Sequence, residues 1–141
     1  MKEMTLAIIK PDSIAKANAG KILAHLEEAG FEICAMRMMQ LTEQNAAEFY
    51  AEHKGKEFFI PLIEFMTSGP VVVAALRRED AIAELRRVIG ATDPSEAEEG
   101  TVRKLYAESK TFNAIHASDS PPSAERELSF FFSQNEFFFD R

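Results

Sequence analysis

Cysteine is almost absent from this chain: Cys34 stands alone, so neither an internal disulfide nor a cysteine-built zinc site can form. A reducing, cytoplasmic address fits. Long apolar runs are missing too. The opening MKEMTLAIIKPD breaks at Lys10 and Pro11 before it is long enough for a signal-peptide core or a membrane span, so neither export nor a membrane is expected. Positive charge is scarce: 16 Lys+Arg against 23 Asp+Glu give a net charge of -7, a poor footprint for a nucleic-acid partner. An anion site would have to gather its cations locally. Gly20-Lys21 lacks the upstream glycine and the following hydroxyl of a phosphate-binding loop, and no dinucleotide glycine pattern exists. His25, His53 and His116 have no histidine partner at metal-ligand spacing, which excludes an ordinary protein-built zinc centre.

What is present suits one globular domain over residues 1–141, since 141 residues at 46% hydrophobic can bury a single core and no linker or repeat divides them. Thr5 to Lys10 reads as a strand stopped by Pro11-Asp12, which places Lys10 at its end. Helical spacing runs from Ser13 to Ala29 and stops at Gly30. Phe31 to Met39 alternates, with Phe31, Ile33, Ala35 and Met39 expected on one face. Helices follow from Thr42 to about Ala51 and from Phe59 to Met66. Next come an apolar strand, Val71 to Leu76, and a helix from Asp80 to Ile89. Ala91 to Phe112 reads as a long loop, Asn113 to Ala117 as a short strand. Ser120 opens a last helix whose buried stripe is Ala124, Leu128, Phe131 and Phe132. A Phe-rich tail, 133–141, carries Phe137, Phe138 and Phe139. This order predicts an α/β (α+β) fold: a ferredoxin-like βαββαβ sandwich with a four-stranded antiparallel sheet covered by helices. A helical hairpin is inserted between its second and third strands.

The chemistry concentrates in NAIHASDS, residues 113 to 120. Here His116, on a short strand, is bracketed by an amide, hydroxyls and a carboxylate just before a helix start. A neutral imidazole is a good nucleophile near pH 7 when a carboxylate fixes its other nitrogen, and Glu127 on the following helix is a candidate for that carboxylate. A partly buried structural histidine is the competing reading.

Five blocks, IIKPD (8–12), HKGKEFF (53–59), FMTSGPVV (65–72), IGATDPSEA (89–97) and NAIHASDS, together resemble the nucleoside diphosphate kinase family over nearly the whole chain. The resemblance implies that His116 takes the γ-phosphoryl group from a nucleoside triphosphate and passes it to a nucleoside diphosphate, in ping-pong fashion. By the same resemblance Lys10 and Asn113 hold the sugar 3′-hydroxyl and nearby phosphate oxygens, and Phe58 stacks on the base. Arg86, Thr92 and Arg103 grip phosphates, Tyr50 sits beside the histidine, Glu127 orients its ring, and Ser118 joins that network. Mg2+ is expected on the nucleotide's own phosphates and water, with no metal site built by the protein. A homo-oligomer built from dimers is also implied. The six phenylalanines between Phe130 and Phe139 support it, being more than a last helix and a short tail should cover.

Three positions depart from the family pattern. Ala117 replaces the usual glycine after the histidine, Lys104-Leu105-Tyr106 follows Arg103 in unusual form, and Lys110 stands where an apolar wall for the base is common. His53 has no expected role beyond shaping the loop before Phe58. Two rivals are a non-catalytic nucleotide-binding or regulatory module on the same fold, and a scaffold protein that binds through its tail.

Overall fold

Proline, glycine and capping hydroxyls set where each element starts and stops. In the computed structural model, which describes residues 2–138, β1 (Lys2–Ile9) leads through Lys10 into α1 (Pro11–Ala15) and α2 (Ala19–Glu28). Then come β2 (Glu32–Met39), α3 (Glu43–Phe49), a 3₁₀ turn at Ala51–His53, α4 (Phe59–Met66) and β3 (Val71–Glu79). The chain continues through α5 (Ala81–Ile89), α6 (Val102–Tyr106), β4 (Ile115–Ala117), α7 (Pro121–Phe131) and a second 3₁₀ turn, Gln134–Glu136. Thr42 caps α3 by accepting from Asn45 N, and Ser120 caps α7 by accepting from Ser123 N.

The sheet order is β2-β3-β1-β4, and every neighbouring pair is antiparallel. Central β1 sends Leu6 and Ile8 to one face, where they meet Phe49, Ile63, Met66, Leu128 and Phe131 from α3, α4 and α7. Ala7 and Ile9 face the other way, onto Ile22 and Leu26 of α2 and Leu85, Val88 and Ile89 of α5. Each such large side chain, fully buried, contributes about 1.5 to 3 kcal/mol. The four-stranded antiparallel α+β architecture is therefore the expected one. No helix among the described residues is long and apolar enough to cross a membrane.

Local departures have identifiable causes. The single helix expected from Ser13 to Ala29 is two helices, because Ala17 turns left-handed at φ 59°. There Ala17 N bonds Ile14 O and Asn18 N bonds Ser13 O, the pattern of a helix stop that usually takes glycine. In β2 the register slips between Ile33, opposite Leu76, and Ala35, opposite Ala75, so Cys34 is an extra residue. Phe31 and Ile33 consequently join the α2–α5 core, whereas Ala35 and Met39 join the other, and the expected common face is split. The long loop is interrupted by α6, which Thr101 caps through Lys104 N. The last strand starts at Ile115 rather than Asn113, since Ala114 has φ 77° and cannot extend the ladder.

The tail is mostly covered by its own chain. Phe131 and Phe132 are buried, Phe130 and Phe137 pack against the core, and Phe138 donates its N–H to Cys34 O at 2.7 Å while its ring stays exposed. Phe139 and the last two residues of the expected tail lie outside the described residues.

Candidate active site

His116 is the middle residue of β4 and pairs with Ile8, so it shares Ile8's face of the sheet and meets α7 and α3. On α7 the buried Glu127 presents Oε1 at 2.8 Å from His116 Nε2. Ser118 Oγ donates to the same Oε1 at 2.8 Å, and Ser118 is itself fixed by Leu6, whose N–H donates to Oγ at 3.4 Å. A carboxylate only accepts, so Nε2 carries the proton and Nδ1 keeps its lone pair. The ring's hydrogen bond among the described residues is at Nε2, and Nδ1 is left for a ligand. The rings of Phe49 and Tyr50 stand edge-on to the imidazole, with centroids 5.3 and 6.0 Å away. Burial lowers the imidazole's pKa below 6.5, aided by the charges of Lys10 and Arg103 and opposed by Glu127. The ring is neutral at pH 7, as a nucleophile must be.

A cavity of about 730 Å³ opens over His116, and Lys10, Tyr50, Phe58, Arg86, Thr92, Arg103, Asn113 and Glu127 all line it. Ser118 reaches the site only through Glu127. Lys10 Nζ donates to Asn113 Oδ1 at 2.8 Å, and burial, with Arg103 close by, lowers its pKa to about 8. Arg103 is buried and spends much of its fork on main chain, reaching Asn113 O at 3.3 Å, Gly90 O at 3.0 Å and Ile115 O at 2.7 Å. Its pKa falls to about 10 through burial and the neighbouring Arg86. The Arg86 side chain donates one hydrogen bond among the described residues, 3.4 Å to Ala117 O, which leaves most of its donors for a ligand. The hydroxyl of Tyr50 is buried with no hydrogen-bond partner among the described residues, and burial together with Glu127 holds the phenol above its usual pKa.

Several contributors escaped sequence reasoning. Asp12 Oδ2 accepts from Ala114 N at 3.1 Å, while Ala114 O accepts from Lys10 N at 2.9 Å and Ser13 Oγ at 3.2 Å. Ile115 N bonds Asn113 O at 3.0 Å, which with the positive φ of Ala114 makes a strained γ-turn immediately before the strand that carries His116. The only sequence signal was Pro11-Asp12 itself, read as a strand stop. Arg126 donates to Phe49 O at 3.1 Å, lies 3.8 Å from Glu127 Oε2 and stacks over Phe49, although it looks like an ordinary helix-surface cation. His53 also lines the cavity, 5.1 Å from the Phe58 ring and 6.3 Å from that of Tyr50. Ala117 lies in β4 opposite Ala7 and is not among the positive-φ residues; the left-handed residue is Ala114 instead.

Residues 3–137 match the nucleoside diphosphate kinase family. Over 134 residues the chain is 54% identical to the nucleoside diphosphate kinase of Psychromonas ingrahamii, covering 95% of this chain and 93% of that one. The Actinobacillus pleuropneumoniae counterpart is 52% identical over 136 residues, 96% and 99% of the two chains. Among solved structures, the Aquifex aeolicus nucleoside diphosphate kinase superposes with a TM-score of 0.96 at 46% identity, covering 98% of this chain and 100% of its own. A halophilic nucleoside diphosphate kinase from Halobacterium salinarum, solved in complex with CDP, gives 0.96 at 37% identity, covering 100% and 95%.

Proposed function

The chain belongs to the nucleoside diphosphate kinase family, whose activity is phosphoryl transfer between nucleotides, and from that premise we propose that His116 is the group that carries the phosphate. One observation carries the assignment: Glu127 holds Nε2, so Nδ1 is the nitrogen with a lone pair to give. That lone pair attacks the γ-phosphorus of a nucleoside triphosphate as the bond to the β–γ bridging oxygen breaks, and the diphosphate leaves with that electron pair. In the second half a terminal β-oxygen of another diphosphate attacks the phosphohistidine, and the Nδ1 lone pair returns. The Nε2 proton stays on the Glu127 hydrogen bond throughout.

Phosphoryl transfer asks mainly for alignment and charge neutralisation. Arg86, Lys10 and the remaining donors of Arg103 supply the charge around His116, and Thr92 and Asn113 add neutral donors. Tyr50's unpartnered hydroxyl is a further donor, and Phe58, about half exposed, offers its face to a base. One acid suits a magnesium ion that arrives on the nucleotide: Asp119, beside Arg86, lines the cavity. When bound, magnesium neutralises phosphate charge. Asp119 is the residue that would hold it through water.

The chain works in this reading as one domain over 1–141, in the cytoplasm, where its buried Cys34 stays reduced. It works as a homo-oligomer built from dimers; of the phenylalanine run the chain covers Phe130, Phe131, Phe132 and Phe137 and leaves Phe138 exposed, and a second apolar surface supports assembly. It is Met36 and Met38, 52% and 59% exposed on the edge strand β2. Light scattering at micromolar concentration checks this, and a monomer would refute it. The mechanism is tested by labelling with γ-phosphate-tagged ATP alone. An acid-labile, alkali-stable adduct that disappears in His116→Ala is expected; full transfer activity in that variant would sink the assignment.

A further inference from the structure

The cavity has two walls that run outward from His116. One is a row of rings, from His116 to Tyr50 at 6.0 Å, then His53 at 6.3 Å, then Phe58 at 5.1 Å. The other is the chain before Asn113, which passes through Thr111 to Lys110. Glu108 N and Ser109 N both bond Phe112 O, at 2.9 and 3.3 Å, so the segment folds back as a turn that carries Lys110 into the wall of the cavity that Phe58 also lines. A base stacked on Phe58 would have its edge within reach of this ammonium.

Lys110 is exposed and makes no hydrogen bond or ion pair among the described residues. It also borders the adjoining groove that holds Asp93, whose Oδ1 accepts from Ser95 N at 3.0 Å and Oγ at 2.8 Å and whose carboxyl is held below its usual pKa first by those bonds and then by the Lys110 charge. Two nearby cations are engaged on rings: Lys56 lies 5.7 Å from the Phe58 ring centroid, and Arg126 is held on Phe49. An ammonium donates three hydrogen bonds and accepts none. It complements the carbonyl at position 6 of guanine or hypoxanthine and at position 4 of uracil or thymine. Adenine and cytosine put an amino donor there, donor against donor.

We propose that Lys110 reads the edge of the base and makes this chain favour oxo-bases over amino-bases, an inference that rests on the kinase reading above. Because the side chain is exposed, the preference is modest, roughly 3 to 10-fold. It also weakens with salt.

The test uses the phosphorylated protein. Label His116 with ATP, remove the nucleotide, and measure the second-order rate of discharge by subsaturating inosine, adenosine, uridine and cytidine diphosphates. The expected ratios, inosine over adenosine and uridine over cytidine, are roughly 3 to 10 in the wild type and about 1 in Lys110→Leu. Ratios unchanged in the variant overturn the proposal. So do four rates that fall together, which would put the ammonium on the phosphates, or four that rise together, which would make it only an obstacle. Failure of ATP to label the protein at all is the separate result that removes the kinase reading, and this proposal with it.

Discussion

At the residue scale the chemistry depends on two protons. Glu127 accepts from both His116 and Ser118 on one oxygen, so Glu127→Gln keeps the shape but loses the charge that steadies the imidazole as it turns positive. Turnover should fall roughly 10 to 100-fold, about 1.4 to 2.8 kcal/mol. An unchanged rate in steady-state assays would reduce Glu127 to a packing residue. The second proton belongs to Lys10. On the proposed mechanism attack requires neutral His116, whose pKa lies below 6.5, and phosphate binding requires charged Lys10, whose pKa is about 8. Since kcat/KM reports the free protein, it should fall as the pH rises through about 8 and Lys10 loses its proton, and the acid-side fall should come only below the ordinary imidazole value of 6.5. The decline above 8 should move upward in Lys10→Arg, because a guanidinium keeps its proton. A profile level to pH 10 in the wild type would show that Lys10 is not needed as a cation.

At the element scale the determining piece is the γ-turn at Asn113–Ile115. It aims β4, and Asp12, Ser13 and the Lys10 backbone clamp it from the start of α1. Asp12→Ala leaves the buried Ala114 N–H unpaired, a loss of about 1 to 3 kcal/mol. Ala114→Gly relieves about 1 kcal/mol of left-handed strain. The double variant should therefore regain part of both the melting temperature and the single-turnover phosphorylation rate lost in Asp12→Ala. A double variant no better than Asp12→Ala on both counts would show that the turn is not under strain. These elements also show what a sequence can disclose. The Phe59–Met66 stripe and the Thr42 and Ser120 caps were legible because local preference and tertiary packing agree there, and His116 was legible through its motif. The break at Ala17 and the turn at Ala114 were not, because alanine holds left-handed backbone that ordinarily announces itself with glycine or asparagine. The bulge at Cys34 leaves the alternation of β2 looking intact, and α6 is too short to show a period. Asp12 and the carbonyl contacts of Arg103 exist only once distant segments meet.

At the scale of the whole molecule the site is assembled from both ends of the chain. Lys10 and Asn113 are 103 positions apart and yet bond directly, and Ile8 of β1 faces His116 of β4. The β1–β3 and β2–β3 ladders, by contrast, lie entirely within the first 79 residues and bury much of the apolar surface. A loop of such length closes slowly, because its entropy is lost before its contacts form. Order of folding thus becomes order of function: a chain still emerging from the ribosome can acquire most of its sheet while remaining catalytically inert. In refolding from denaturant, far-ultraviolet circular dichroism should recover before the capacity to take phosphate from ATP, and the lag should measure the docking of β4 beside β1. Coincident recovery of the two signals would mean that the last strand is laid down with the rest.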